Sequence, residues 1–119
     1  MICGNGGSAQ QANHFVAELI HEGKPAISLC SDISVVTSIS NDYHYDIVFS
    51  HQLWALGKKG DILIGLSTSG KSLNILNAYE TAKALKMEVI DFPRRGSTPR
   101  CQEYQLRLLH KVWEYIQHK

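Results

Sequence analysis

Three observations predict an α/β domain built on a parallel sheet. Apolar stretches suited to strands alternate with stretches of helical periodicity along the chain. One of them, Asp61–Leu66, is apolar almost throughout, as in a parallel strand covered on both faces. Two apolar stretches run straight into short Gly/Ser turns that open helices, Gly4-Asn5-Gly6-Gly7-Ser8 and Ser67-Thr68-Ser69-Gly70.

The elements follow in order. Met1-Ile2-Cys3 is too short to read as a strand, so the sequence looks incomplete ahead of the first turn. Ser8 is the expected N-cap of a helix over Ala9–Ile20, with Ala12, Phe15, Val16, Leu19 and Ile20 on its apolar side. Gly23 and Pro25 break that helix, and Ala26–Cys30 reads as a short strand. Asp32 or Ser34 caps a helical turn through Val35, Val36 and Ile39, which Asn41-Asp42 ends. Asp46–Leu56 reads as a helix, with Ile47, Phe49, Leu53, Trp54 and Leu56 facing inward. After strand Asp61–Leu66 come a helix over Ser72–Leu85, a strand over Met87–Ile90 and a basic loop from Pro93 to Pro99. Arg100–Gln117 closes the chain as a long amphipathic helix. The expected unit is one domain, 1–119.

Composition excludes several classes of function. The 119 residues carry 12 Lys and Arg against 11 Asp and Glu, a formal charge of +1, so no nucleic-acid footprint is expected. No apolar run approaches the ~20 residues of a membrane span, and no signal peptide is legible. Cys3, Cys30 and Cys101 are odd in number and widely spaced. They fit a reducing cytoplasm better than a disulfide scaffold or a cysteine-rich zinc site.

The two polar turns carry the chemistry. Glycines let a backbone approach an anion, and helix N-termini hold it through free N–H groups and the helix dipole. The bland reading of each is an ordinary βα turn; two in one small domain favour a binding role. The second also spells a P-loop, Gly65-x4-Gly70-Lys71-Ser72. Too few residues follow for a usual P-loop domain, and Glu88 interrupts the candidate Walker B strand. Nucleotide binding is therefore a minor alternative.

His14 and Glu18 are four apart and share a helix face, and Gln102 and His110 both lie on the last helix. Two imidazoles, a carboxylate and an amide oxygen would suit Zn²⁺ or a similar divalent ion. Singly, each also reads as an ordinary surface polar residue. His21, His44, His51 and His118 read as surface histidines, and Lys58, Lys59, Arg94 and Arg95 as solvated loop charges. Asn41-Asp42 fits either a capping role or contact with sugar hydroxyls.

Taken together these residues resemble the SIS (sugar isomerase) family. The resemblance rests on Cys3–Ser8 through His14–Leu19, on Ile39-Ser40-Asn41-Asp42, on Gly60–Gly70, on Thr98–Glu103 and on His110, in order over nearly the whole chain. It implies a flavodoxin-like three-layer α/β/α sandwich and a homotetramer with sites between subunits. The implied reaction turns sedoheptulose 7-phosphate into D-glycero-D-manno-heptose 7-phosphate, toward bacterial surface heptose. Implied substrate contacts are Asn5, Gly6, Gly7, Asn41, Asp42, Ser67, Thr68, Ser69, Ser72 and Gln102. Implied ligands of a divalent metal, zinc first, are His14, Glu18, Gln102 and His110, with Glu18 and His110 as the acid/base pair.

Three departures from the family stand out. The connection after Ile20 is short, as is the one after Ile90, and both read as missing residues rather than deletions. Lys71 stands where the family often has Asn. The alternative function is a non-catalytic SIS module that binds sugar phosphate as a sensor, or binds a replication initiator. The presence of Glu18 and His110 favours the enzyme. Trp113, Tyr115 and Ile116 spread around the last helix, more apolar surface than a small sheet covers, and predict an oligomer.

Overall fold

The computed structural model describes residues 1–91 and 98–117; for residues 98, 100–102, 104, 105 and 108 it describes the backbone only. Strands β1 (Ile2–Gly4), β2 (Ile62–Leu66) and β3 (Glu88–Asp91) form a parallel sheet in the order β1-β2-β3. Helices α1 (Gly7–His21), α2 (Ile33–Asp42), α3 (Val48–Leu56), α4 (Leu73–Ala84) and α5 (Thr98–Gln117) surround it.

The period of two along a strand divides the core. Cys3 and Leu63 face one side, where Ile39 of α2, Phe49 and Leu53 of α3, and Ile75, Ala78, Tyr79 and Ala82 of α4 cover them. Ile2, Ile64 and Leu66 face the other, against Ala12, Phe15 and Leu19 of α1 and Leu109 of α5. With helices on both faces this is the expected three-layer α/β/α sandwich. A β2 buried on both faces explains its unbroken apolar run.

Local corrections have local causes. Ile2–Gly4 does form a strand: its residues align with Ile64, Gly65 and Leu66. Ala26–Cys30 does not; it joins the sheet through an isolated parallel bridge between Ser28 and Ile2. Ser28 Oγ accepts the Cys30 N–H, and the Ser28 carbonyl accepts the Ser31 hydroxyl, so the segment curls into a turn. The buried Gln52 amide ties that turn down, donating to Leu29 O at 2.9 Å. The connection after Ile20 closes without a break, Gly23 N–H bonding to Ile20 O and Lys24 N–H to Leu19 O. The connection after Ile90 and the loop from Pro93, with Arg94 and Arg95, fall outside the described residues, as does His118.

Ser8 is not an N-cap. Gly6 holds that position, and Ser8 is buried within the first turn of α1. The segment Asp46–Leu56 splits into a 3-10 turn, Tyr45–Ile47, and α3, because the backbone of Ile47 leaves helical angles. Trp54 and Leu56, expected inside, are exposed: the α3 face that meets the core runs through Phe49, Gln52 and Leu53. Ile20 is exposed for the same reason on α1. Cys3 is buried and Cys30 half-buried, both as free thiols, and burial raises the thiol pKa of each.

Asp32, one of the two caps considered for α2, accepts the Val35 N–H at 3.1 Å. Replacing it with Ala should cost about 1 kcal/mol, the usual worth of an exposed N-cap. Urea titration checks this, and an unchanged midpoint would show that the cap contributes nothing.

Candidate active site

The parallel strands end together at Gly4, Leu66 and Asp91, the end of an α/β sheet where ligands ordinarily bind. Two turns rise there, into α1 and α4. Neither helix has a side-chain cap at its N-terminus, whereas α2 has one. The Ser8 and Ala9 N–H groups of α1 already bond to Asn5 O and Gly6 O, and the Ile75 N–H of α4 to Ser72 O. What suits the two turns to an anion or a sugar oxygen is therefore the helix dipole together with the remaining polar groups of each turn.

In the second turn Ser67 Oγ accepts the Gly70 N–H and Ser69 Oγ accepts the Lys71 N–H, each at 3.0 Å. The hydroxyls of Ser67, Ser69 and Ser72 lie 3.4–3.5 Å from one another. That is longer than a usual O–H···O bond, so their protons remain available to a phosphate oxygen. Thr68 sits half-buried among them. The P-loop spelling is coincidental here. Its first glycine, Gly65, is not in the turn but inside β2, where a Cβ would run into the Tyr79 ring.

In the first turn Gly6 has φ +56, a conformation that glycine adopts without strain. Asn5 beside it exchanges two hydrogen bonds with Asn74 of α4, both 3.0 Å, and its Oδ1 also accepts the Tyr45 hydroxyl at 2.7 Å. These amide bonds join the two turns. Asn74 and Tyr45 were missed in the sequence, where a polar residue one place into a helix and an aromatic in a loop carry no signal. Asn41 and Asp42 lie exposed at the end of α2, bonded to each other at 3.1 Å and four and three residues before Tyr45.

On α1, His14 Nε2 and Glu18 Oε1 meet at 2.9 Å on a face partly open to solvent. Glu18 shares a cleft with Trp113 of α5. Among the described residues no three His, Cys, Asp or Glu side chains stand close enough to hold an ion, so His110 does not join this pair as a third donor. The cause is the packing of α5: Leu109 fills the contact with α1, and the next residue points about 100° around the helix, leaving His110 exposed. The Gln102 side chain lies outside the described residues. His44 and His51 are exposed as expected, His44 accepting the Asp46 N–H and His51 stacked on Tyr43.

A SIS domain family model matches residues 1–92. The phosphoheptose isomerase of Helicobacter pylori is 44% identical over 140 residues, covering 98% of this chain and 73% of the relative. The enzyme of the same name from Synechocystis is 44% identical over 140 residues, with 98% and 72% covered. Both alignments are longer than the 119 residues here, so the relatives carry extra residues within the matched stretch. The solved phosphoheptose isomerase of Neisseria gonorrhoeae superposes with a TM-score of 0.93 at 37% identity, covering 99% of this chain and 75% of that one. Fold, turns and relatives agree: the chain belongs to the SIS-domain phosphoheptose isomerase family and is a sugar-phosphate isomerase.

Proposed function

We propose that the substrate is sedoheptulose 7-phosphate, the product D-glycero-D-manno-heptose 7-phosphate, and the purpose bacterial surface heptose. The observation that carries this reading is the hydroxyl cluster at Ser67–Ser72 at the head of α4, whose Asn74 is hydrogen-bonded to Asn5 in a second turn at the head of the helix that bears Glu18. The Ser67, Thr68, Ser69 and Ser72 turn takes the phosphate, anchoring the sugar far from its reacting carbons. Asn5, Gly6, Gly7, Asn41, Asp42 and Gln102 contact the open chain.

Glu18 removes a proton from C1 of the ketose. The C–H electrons form the C1–C2 double bond, and the former carbonyl oxygen at C2 gains the charge of an enediolate. His110 moves the hydroxyl proton from the oxygen on C1 to the oxygen on C2. Glu18 then returns its proton to C2, leaving an aldehyde at C1. Imidazole and carboxylate are donors that suit zinc, and the pair on α1 fits such an ion chemically. His14 and Glu18 would hold it together with Gln102 and His110 brought from a neighbouring subunit, since His110 of the same chain faces away from the pair, and it would supply charge stabilisation to the reacting oxygens. Glu18, if bound so, is a weaker base than a free carboxylate.

The chain works as a homotetramer in the cytoplasm, without nucleic acid or membrane. Exposed Leu106 and Tyr115 on α5 and the open face of Glu18 support a site closed by a neighbouring subunit. No described helix is long and apolar enough to cross a membrane.

Turnover of sedoheptulose 7-phosphate, with and without chelator, tests the activity, and metal content of the wild type and His14→Ala tests the ion. Calorimetry should show heptose phosphate binding and no tight Mg-ATP binding; the reverse would sink the isomerase reading. Sedimentation should give a tetramer, and a concentration-independent monomer would remove the shared site.

A further inference from the structure

We infer that Asn74 is a positioning residue for the isomerisation: it holds the Asn5 amide in place and so fixes the sugar turn relative to the phosphate turn. The inference rests on the proposed substrate reading. Asn74 is the second residue of α4, 3% exposed, two residues after Ser72. Its Nδ2 donates to Asn5 Oδ1 and its Oδ1 accepts from Asn5 Nδ2, both at 3.0 Å. The two residues are 69 apart in sequence, and α1 and α4 lie on opposite faces of the sheet. The amide pair therefore bridges the ends of β1 and β2, where each chain segment turns into its helix.

Tyr45 completes the arrangement. Its hydroxyl donates to Asn5 Oδ1 at 2.7 Å, so both lone pairs of that oxygen are taken. One N–H of Asn5 goes to Asn74; the other has no partner among the described residues and is the group this role assigns to the substrate. Asn5 is thereby set as a donor toward a sugar oxygen, a role that suits an oxygen gaining negative charge. A freely rotating amide would present its acceptor as often as its donor.

The test is a double-mutant cycle on the full chain, Asn5→Ala, Asn74→Ala and both, with kcat and KM for sedoheptulose 7-phosphate and inhibition by inorganic phosphate. Each single change should lower kcat 10- to 100-fold, with KM and phosphate inhibition within about threefold, because the serine turn is untouched. The double variant should lose no more than the worse single one, since Asn74 acts through Asn5. Tyr45→Phe should lower kcat several-fold. Losses that multiply in the double variant, or a kcat for Asn74→Ala equal to wild type, overturn the inference. Should Asn74→Ala not fold, Asn74→Ser, which keeps a small polar group at the site, takes its place in the cycle under the same criteria. Wild-type chain inactive on the sugar phosphate overturns the substrate reading itself, and the positioning role with it; active wild type with an indifferent Asn74 overturns the positioning role alone.

Discussion

Glu18→Gln should lower turnover by 100- to 10,000-fold, the range usual for removing a general base, equal to about 3–5 kcal/mol of transition-state stabilisation. The change keeps size and an amide oxygen but removes the basic lone pair and the charge. Glu18 is half-buried on a surface helix and, among the described residues, makes its ion pair with His14 at 2.9 Å. Exposed i,i+4 pairs contribute a few tenths of a kcal/mol, so the fold should be unaffected. Phosphate inhibition should also persist, because the serine turn is on a different helix. The measurement is kcat beside a thermal melt and a phosphate titration. Near-native turnover would show that Glu18 is not the base and leave His110 or another group to take the proton. The same assay on His110→Ala should show a comparable loss.

Gly65→Ala should destabilise the chain by roughly 3 kcal/mol, the upper part of the range for overpacking a core. A Cβ there would overlap the Tyr79 hydroxyl and ring. The neighbour cannot yield cheaply. Tyr79 is 8% exposed, packed among Cys3, Leu63 and Ile75, and its hydroxyl donates to Asp91 Oδ1 at 2.8 Å. Moving the ring would break that bond and shift β2 just before Ser67. The variant should therefore melt about 10 °C lower and bind phosphate more weakly. Denaturant melts of Gly65→Ala and of Gly65→Ala with Tyr79→Leu check the cause: the smaller side chain should recover part of the loss. A single variant as stable as wild type would show that the strand relaxes around the methyl.

The alternating pattern, the apolar β2 and the two Gly/Ser turns were legible in the chain because each is a local property: period, run length and backbone freedom. Those features determined the sandwich, the parallel sheet and the end of it where the two polar turns lie. The i,i+4 meeting of His14 and Glu18 was legible for the same reason, since helix geometry alone brings them together. What faces what was not legible. Trp54 and Leu56 are exposed, and Ile2–Gly4 is a strand, only because of the neighbours that the fold supplies. Three residues make a strand when a longer partner, β2, carries the hydrogen bonds. Tertiary structure also turned His110 outward, through the packing of Leu109 on α1. It paired Asn5 with Asn74 across 69 residues, a contact that follows from sheet order and not from any local spacing. Backbone periodicity thus wrote the architecture into the sequence, while the relative rotation of packed helices, which depends on many side chains at once, decided which polar groups meet.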